Sequence, residues 1–117
     1  MSNLASSVRV RYEPLRSLSF SDITGSFAAV GTPFANPVRI LKVTNLTDEA
    51  LVISFDGIND HDIVPANGFY LYDYTSNQSA RGGLLEQPQG DQVYVVAAAT
   101  LPTIGYVFVT VVYASNV

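Results

Sequence analysis

The sequence predicts an all-β protein: one antiparallel β-sandwich of about eight strands, jelly-roll-like in its winding. Three observations carry this. Short runs rich in Val, Ile, Thr, Tyr and Phe recur along the whole chain, several alternating apolar with polar residues. Turn residues punctuate these runs at intervals of roughly 8 to 12 residues. No window of about a dozen residues repeats apolar positions at helical spacing without Gly, Pro or β-branched residues intervening. An immunoglobulin-like sandwich is the alternative winding, but the chain has neither Trp nor the Cys pair of a true immunoglobulin domain.

The expected strands follow in order. Ser7 to Tyr12 alternates Val8, Val10 and Tyr12 against Ser7, Arg9 and Arg11. Leu15 to Phe20 alternates more weakly, and Ser26 to Val30 is short and stops at Gly31. Pro37 to Thr44 is β-branched and apolar, with Pro37 suited to a first strand position, where no ladder donor is needed. Ala50 to Phe55 places Leu51, Ile53 and Phe55 on one face. Phe69 to Tyr74 separates Phe69, Leu71 and Asp73 from Tyr70, Tyr72 and Tyr74. Gln92 to Ala98 and Gly105 to Ala114 complete the set. Asn45 to Glu49 joins two strands at hairpin spacing, Asp56-Gly57 and Pro65 to Gly68 make turns, and Thr75 to Asp91 reads as a long polar loop with room for one short strand. Residues 1–6 read as an arm and residues 7–117 as the domain.

Composition narrows the function. The 117 residues include no cysteine and one histidine, which removes disulfides, thiolate metal sites and histidine-cluster zinc sites within one chain. The net charge of −4 does not suit a binder of the phosphate backbone, so no nucleic-acid partner is expected. Charged residues make up only 14% of the chain, against roughly 25% in a typical soluble domain. Such a surface suits burial against other proteins. Met1 to Arg11 lacks the charged and apolar regions of a secretory signal, and Tyr106 to Ala114 is too short for a spanning helix, so synthesis in a cytoplasm and no membrane partner are expected. The sequons at Asn45 and Asn77 read as turn residues.

Catalytic motifs are missing. There is no G-x-S-x-G elbow, and Gly82-Gly83 leads into Leu84-Leu85 rather than a phosphate-binding helix. Most of the acidic residues fall at turns or loops, with no pairing that suggests a hydrolase. Asp56 to Asp62 gathers three aspartates, an asparagine and His61, but at spacings unlike a calcium loop; it reads as a turn, with no metal or cofactor expected. No enzymatic activity is expected.

Three features point outward instead. Val107, Val109, Val111 and Tyr113 share one face of the last strand, and Tyr106, Phe108, Thr110 and Val112 share the other. A strand apolar on both faces is either covered by the N-terminal segment or packed against another subunit. The tyrosine stripe of Tyr70, Tyr72 and Tyr74 suits packing or an interface; stacking on a sugar is the alternative. Residues 1–40 carry a charge of +2 and residues 41–117 a charge of −6, so Arg9 and Arg11 are candidates for contact with acidic loops of a neighbouring copy. The expected interface residues are therefore Arg9, Arg11, Tyr70, Tyr72, Tyr74, Tyr106, Phe108 and Val112.

The segment from Pro37 to Asn77, PVRILKVTNLTDEALVISFDGINDHDIVPANGFYLYDYTSN, with the closing strand YVFVTVVYA, resembles small structural proteins of tailed-bacteriophage virions. The resemblance covers roughly 50 residues and lies in the order of strand and turn patterns. It implies a non-enzymatic virion protein, a capsid cement or decoration protein bridging subunits, with a tail or head-tail accessory protein as the alternative. Its partners would be capsid or tail proteins and copies of itself. A carbohydrate-binding β-sandwich using the tyrosine stripe is the reading from another class.

Overall fold

A computed structural model describes residues 9–74 and 85–115. The expected residue 1–6 arm, Val8, most of the polar loop after Tyr74 and the Asn77 sequon lie outside the described residues. Nine strands are present among those described: β1 (Arg9–Tyr12), β2 (Arg16–Ser19), β3 (Ala28–Ala29), β4 (Ile40–Asn45), β5 (Leu51–Ser54), β6 (Asp62–Val64), β7 (Gly68–Asp73), β8 (Tyr94–Ala97) and β9 (Tyr106–Ser115). They form two antiparallel sheets packed as a sandwich. The first runs β1-β9-β4-β7 with β2 also beside β9, and the second runs β3-β8-β5-β6.

The pairings are nested. β5 pairs with β6, β4 with β7, β3 with β8 and β2 with β9, all antiparallel. The chain is thus one long hairpin, with its tip between β5 and β6, rolled so that successive nested pairs fall alternately in the two sheets. Further pairings of β4 with β9 and of β5 with β8 close the roll side by side. Alternation does the rest: Leu41, Val43, Leu51, Ile53, Val107, Val109 and Val111 all point inward and are fully buried.

β1 and β2 are one strand interrupted by a bulge. Tyr12 stands opposite Val112, whereas Arg16 stands opposite Val109, so the register slips by one residue across Glu13-Pro14-Leu15. Pro14 has no N–H to give a ladder. The slip reverses the faces: Val10 and Tyr12 share the side of Val112, while Leu18 turns inward opposite Val107.

Two expectations change. The strand β6 (Asp62–Val64) is not among the expected strands; with only Ile63 and Val64 apolar it shows no local alternation, and it exists because β5 supplies a partner ladder and the core buries Val64. The run Leu15 to Phe20 ends early, because Phe20–Asp22 forms a single 3-10 turn whose Ser21 N–H is capped by the Ser19 hydroxyl. The other expected strands are present within the described residues, with ends that differ by no more than three residues.

Candidate functional site

The feature with the clearest capacity for interaction is the outer face of the first sheet. Register fixes its composition. Phe69 of β7, Thr44 of β4, Phe108 of β9 and Ser17 of β2 lie in one row. Leu71, Lys42 and Thr110 form the next, and Asp73, Ile40, Val112 and Tyr12 the third. Phe69 is 60% exposed, Leu71 55% and Tyr106 51%, while Phe108 is half-buried and stacks on Tyr106 with ring centroids 5.9 Å apart. The Lys42 ammonium sits 5.9 Å from the Phe69 ring centroid, so its charge lies against an aromatic face. Tyr12 and Val10 extend the apolar surface on β1.

The N-terminal strands do not lie over β9; they hydrogen-bond to its side, in the plane of the sheet. The expectation for Val112 needs correction. It is only 8% exposed and is flanked by Tyr12 and Ile40 of its own chain, so it is packed within the fold rather than offered to a neighbour.

The tyrosine stripe lies on the other side of the sheet. Tyr72 stands opposite Leu41 and Tyr70 opposite Val43, both core residues. The Tyr72 ring meets Phe55 edge-on, and its hydroxyl donates to Asp62 Oδ2 at 2.6 Å, tying the edge strands of the two sheets together. Burial, then this hydrogen bond and the Asp62 charge, push the Tyr72 phenol well above its ordinary value. The Tyr74 hydroxyl donates to Gln87 Oε1 at 3.1 Å, and burial raises its pKa also. Only Tyr70, 38% exposed, offers much ring to solvent, so the three do not form a flat stacking platform. Arg9 and Arg11 are exposed on β1 and alternate with Val10 and Tyr12, which places them on the opposite side from Phe69 and Tyr106. The expected interface residues therefore divide between two sides of the sheet.

The acidic segment Asp56 to Asp62 is a turn held by its own first aspartate. Asp56 Oδ1 accepts from the N–H groups of Ile58 and Asn59 and from the Ser54 hydroxyl, and Oδ2 accepts from Asn59 Nδ2. These bonds, the Asn59 N–H foremost, hold the carboxyl far below the usual range. His61 Nδ1 accepts from the Phe55 N–H at 3.0 Å and its ring stacks on Phe55. The Asn45 sequon is likewise structural. Asn45 is fully buried; its amide donates to the Glu49 and Pro65 carbonyls and its Oδ1 accepts from Thr47.

Phe69, Leu71 and Lys42 belong to this outer face although they are not among the expected interface residues. The sequence carries a signal for them: β7, like β9, has large side chains on both faces, Phe69 and Leu71 on one and the tyrosines on the other. A pocket of about 260 Å³ between Pro14, Arg16, Gly31 and Thr32 is below the usual range for a small-molecule site. Comparison with family models, curated proteins and solved structures gave no match for this chain.

Proposed function

We propose that this chain is a non-enzymatic structural protein of a tailed-bacteriophage virion, a capsid cement or decoration protein that bridges subunits. It would be made in the host cytoplasm and reside in the virion. The observation that carries the reading is the outer face of the first sheet, where Phe69, Leu71, Phe108 and Tyr106 meet solvent around Lys42. With Tyr12 and Val10 this face exposes on the order of 600 Å² of largely apolar side chain, the upper end of what a monomer carries. A protein repeated across a lattice has such surface covered in every copy, and modest contacts add through multivalency. The nested strand pairing, which we read as a jelly roll, provides a rigid support for that face. The order of strand and turn motifs from Pro37 to Asn77 supports the virion assignment.

Mass spectrometry of purified particles tests this directly. The chain is expected at a copy number that matches capsid symmetry; a few copies per particle would place it in the tail or the head-tail connection instead. A Phe69→Asp/Phe108→Asp double variant is expected to fold and to lose its place in the particle. Absence from particles, or unchanged occupancy of the double variant, would overturn the proposal.

A further inference from the structure

Sheet edges present unpaired N–H and C=O groups, and proteins normally blunt them with charge, proline, bulges or brevity. Three of the four edges here are blunted. β1 carries Arg9 and Arg11 and passes through the Pro14 bulge into β2. β3 has two residues, and β6 has three and stops at Pro65. The fourth, β7, runs six residues, GFYLYD, with no proline and no bulge, and its one charge is Asp73 at the end. Among the described residues it pairs only with β4.

Its hydrogen-bonding parity is fixed. The Tyr74 N–H donates to the Arg39 carbonyl at 2.9 Å, so the alternating groups of Tyr72 and Tyr70 also face β4. Those of Phe69 and Leu71 face away from the sheet, and both side chains stand on the exposed outer face.

We propose that β7 is the docking edge for a second copy of this chain, the two strands pairing antiparallel about a two-fold axis at Tyr70. An antiparallel edge is complementary to itself under a two-fold, which closes the assembly at a dimer. This register sets Phe69 against Leu71 of the second copy and the reverse, giving four backbone hydrogen bonds and two apolar cross-strand pairs. The two Tyr70 rings meet at the axis. Asp73 falls beyond the pairing, opposite Asn67 of the second copy. The neighbouring self-register, centred on Leu71, places each Asp73 carboxylate against the Phe69 ring and is disfavoured by that juxtaposition. Because the axis is perpendicular to the sheet, both outer faces stay on one side, and the dimer presents them as one continuous surface.

The inference deepens the assembly reading by naming the partner. It is tested on the purified chain without particles, so it stands or fails apart from the virion placement. Sedimentation should give a dimer at micromolar concentration. The chain has no cysteine, so single replacements report distance cleanly. Tyr70 faces its own copy as a non-hydrogen-bonded pair, about 4.5 Å between Cα atoms, within disulfide reach. Tyr70→Cys should form a disulfide dimer under mild oxidation at least about tenfold faster than Leu71→Cys, whose Cα atoms lie more than about 7 Å apart in this register. Leu71→Lys, which leaves the β4 ladder intact, should be a folded monomer with a cooperative melt. A monomeric parent chain, equal cross-linking at the two positions, or a dimeric Leu71→Lys would overturn the proposal.

Discussion

The Glu13 carboxylate accepts a hydrogen bond from Arg16 Nη2 at 2.7 Å, and both side chains are more than nine-tenths buried. Arg16 Nε also donates to the Thr32 carbonyl at 2.7 Å and Nη2 to Pro33, and the guanidinium lies 5.6 Å from the Phe34 ring centroid. Glu13 accepts in turn from Asn36 Nδ2 and the Ala35 N–H. The pair thus fastens the bulge between β1 and β2 to the segment that leads from β3 to β4. Gly31, at φ +73°, lets that segment approach; a Cβ there would collide with the Arg16 side chain.

Breaking this pair from one side should be costly. Glu13→Ala or Arg16→Ala leaves a buried charge without its partner and is expected to destabilise the fold by about 3 to 5 kcal/mol in urea unfolding. Replacing both together should cost less than the two single changes added, as a double-mutant cycle would report.

The same pair predicts a pH dependence. Burial alone would raise the Glu13 pKa, but the bonds from Asn36, Arg16 and Ala35 and the guanidinium charge bring it below its ordinary 4.5. A depressed carboxyl contributes stability that is complete above that value and is lost as pH falls through the folded value. Glu13→Gln should therefore flatten the acid side of the stability curve below pH 4.5, measured by urea midpoints at several pH values.

Tyr72→Phe removes the hydroxyl that reaches Asp62 across the sheet edges. Loss of a half-buried hydrogen bond to a carboxylate is expected to cost about 1 to 2 kcal/mol. Because the folded phenol is raised above its ordinary 10.0, its contribution is present below pH 10 and lost above it, so the variant should lose part of the alkaline destabilisation seen in the parent chain.

Gly105→Ala is expected to be among the most damaging small changes. The residue has φ +98°, and an added Cβ would run into the Leu46 carbonyl, whose own N–H bonds the Tyr106 carbonyl. Backbone on both sides leaves nowhere to yield. A thermal melt should show a large drop or no cooperative transition.

Asn45→Asp tests the buried junction after β4. The change replaces a donor facing the Glu49 and Pro65 carbonyls with a second acceptor. It should cost at least about 3 kcal/mol in chemical denaturation, while Asn45→Ser, which keeps a smaller donor, should cost less.

The sequence by itself determined the strands that alternate or carry long β-branched runs. Leu51 and Ile53, or Val107, Val109 and Val111, announce a buried face without reference to any partner, because a strand repeats every second residue. It also determined that Phe69 and the tyrosines of β7 lie on opposite faces, and that Asp56 to Asn59 turns. The tertiary structure alone decided which face is inside. Alternation separates Tyr72 from Leu71 but assigns neither to the core, and only the pairing with Leu41 and the bond to Asp62 turn the tyrosines inward. It alone created β6, too short to show a period, and the Glu13–Arg16 pair, which depends on a one-residue slip against β9. Local periodicity is a property of the chain; which side is dry, and which charges meet, depends on residues far away in sequence and becomes defined only when the sheets close.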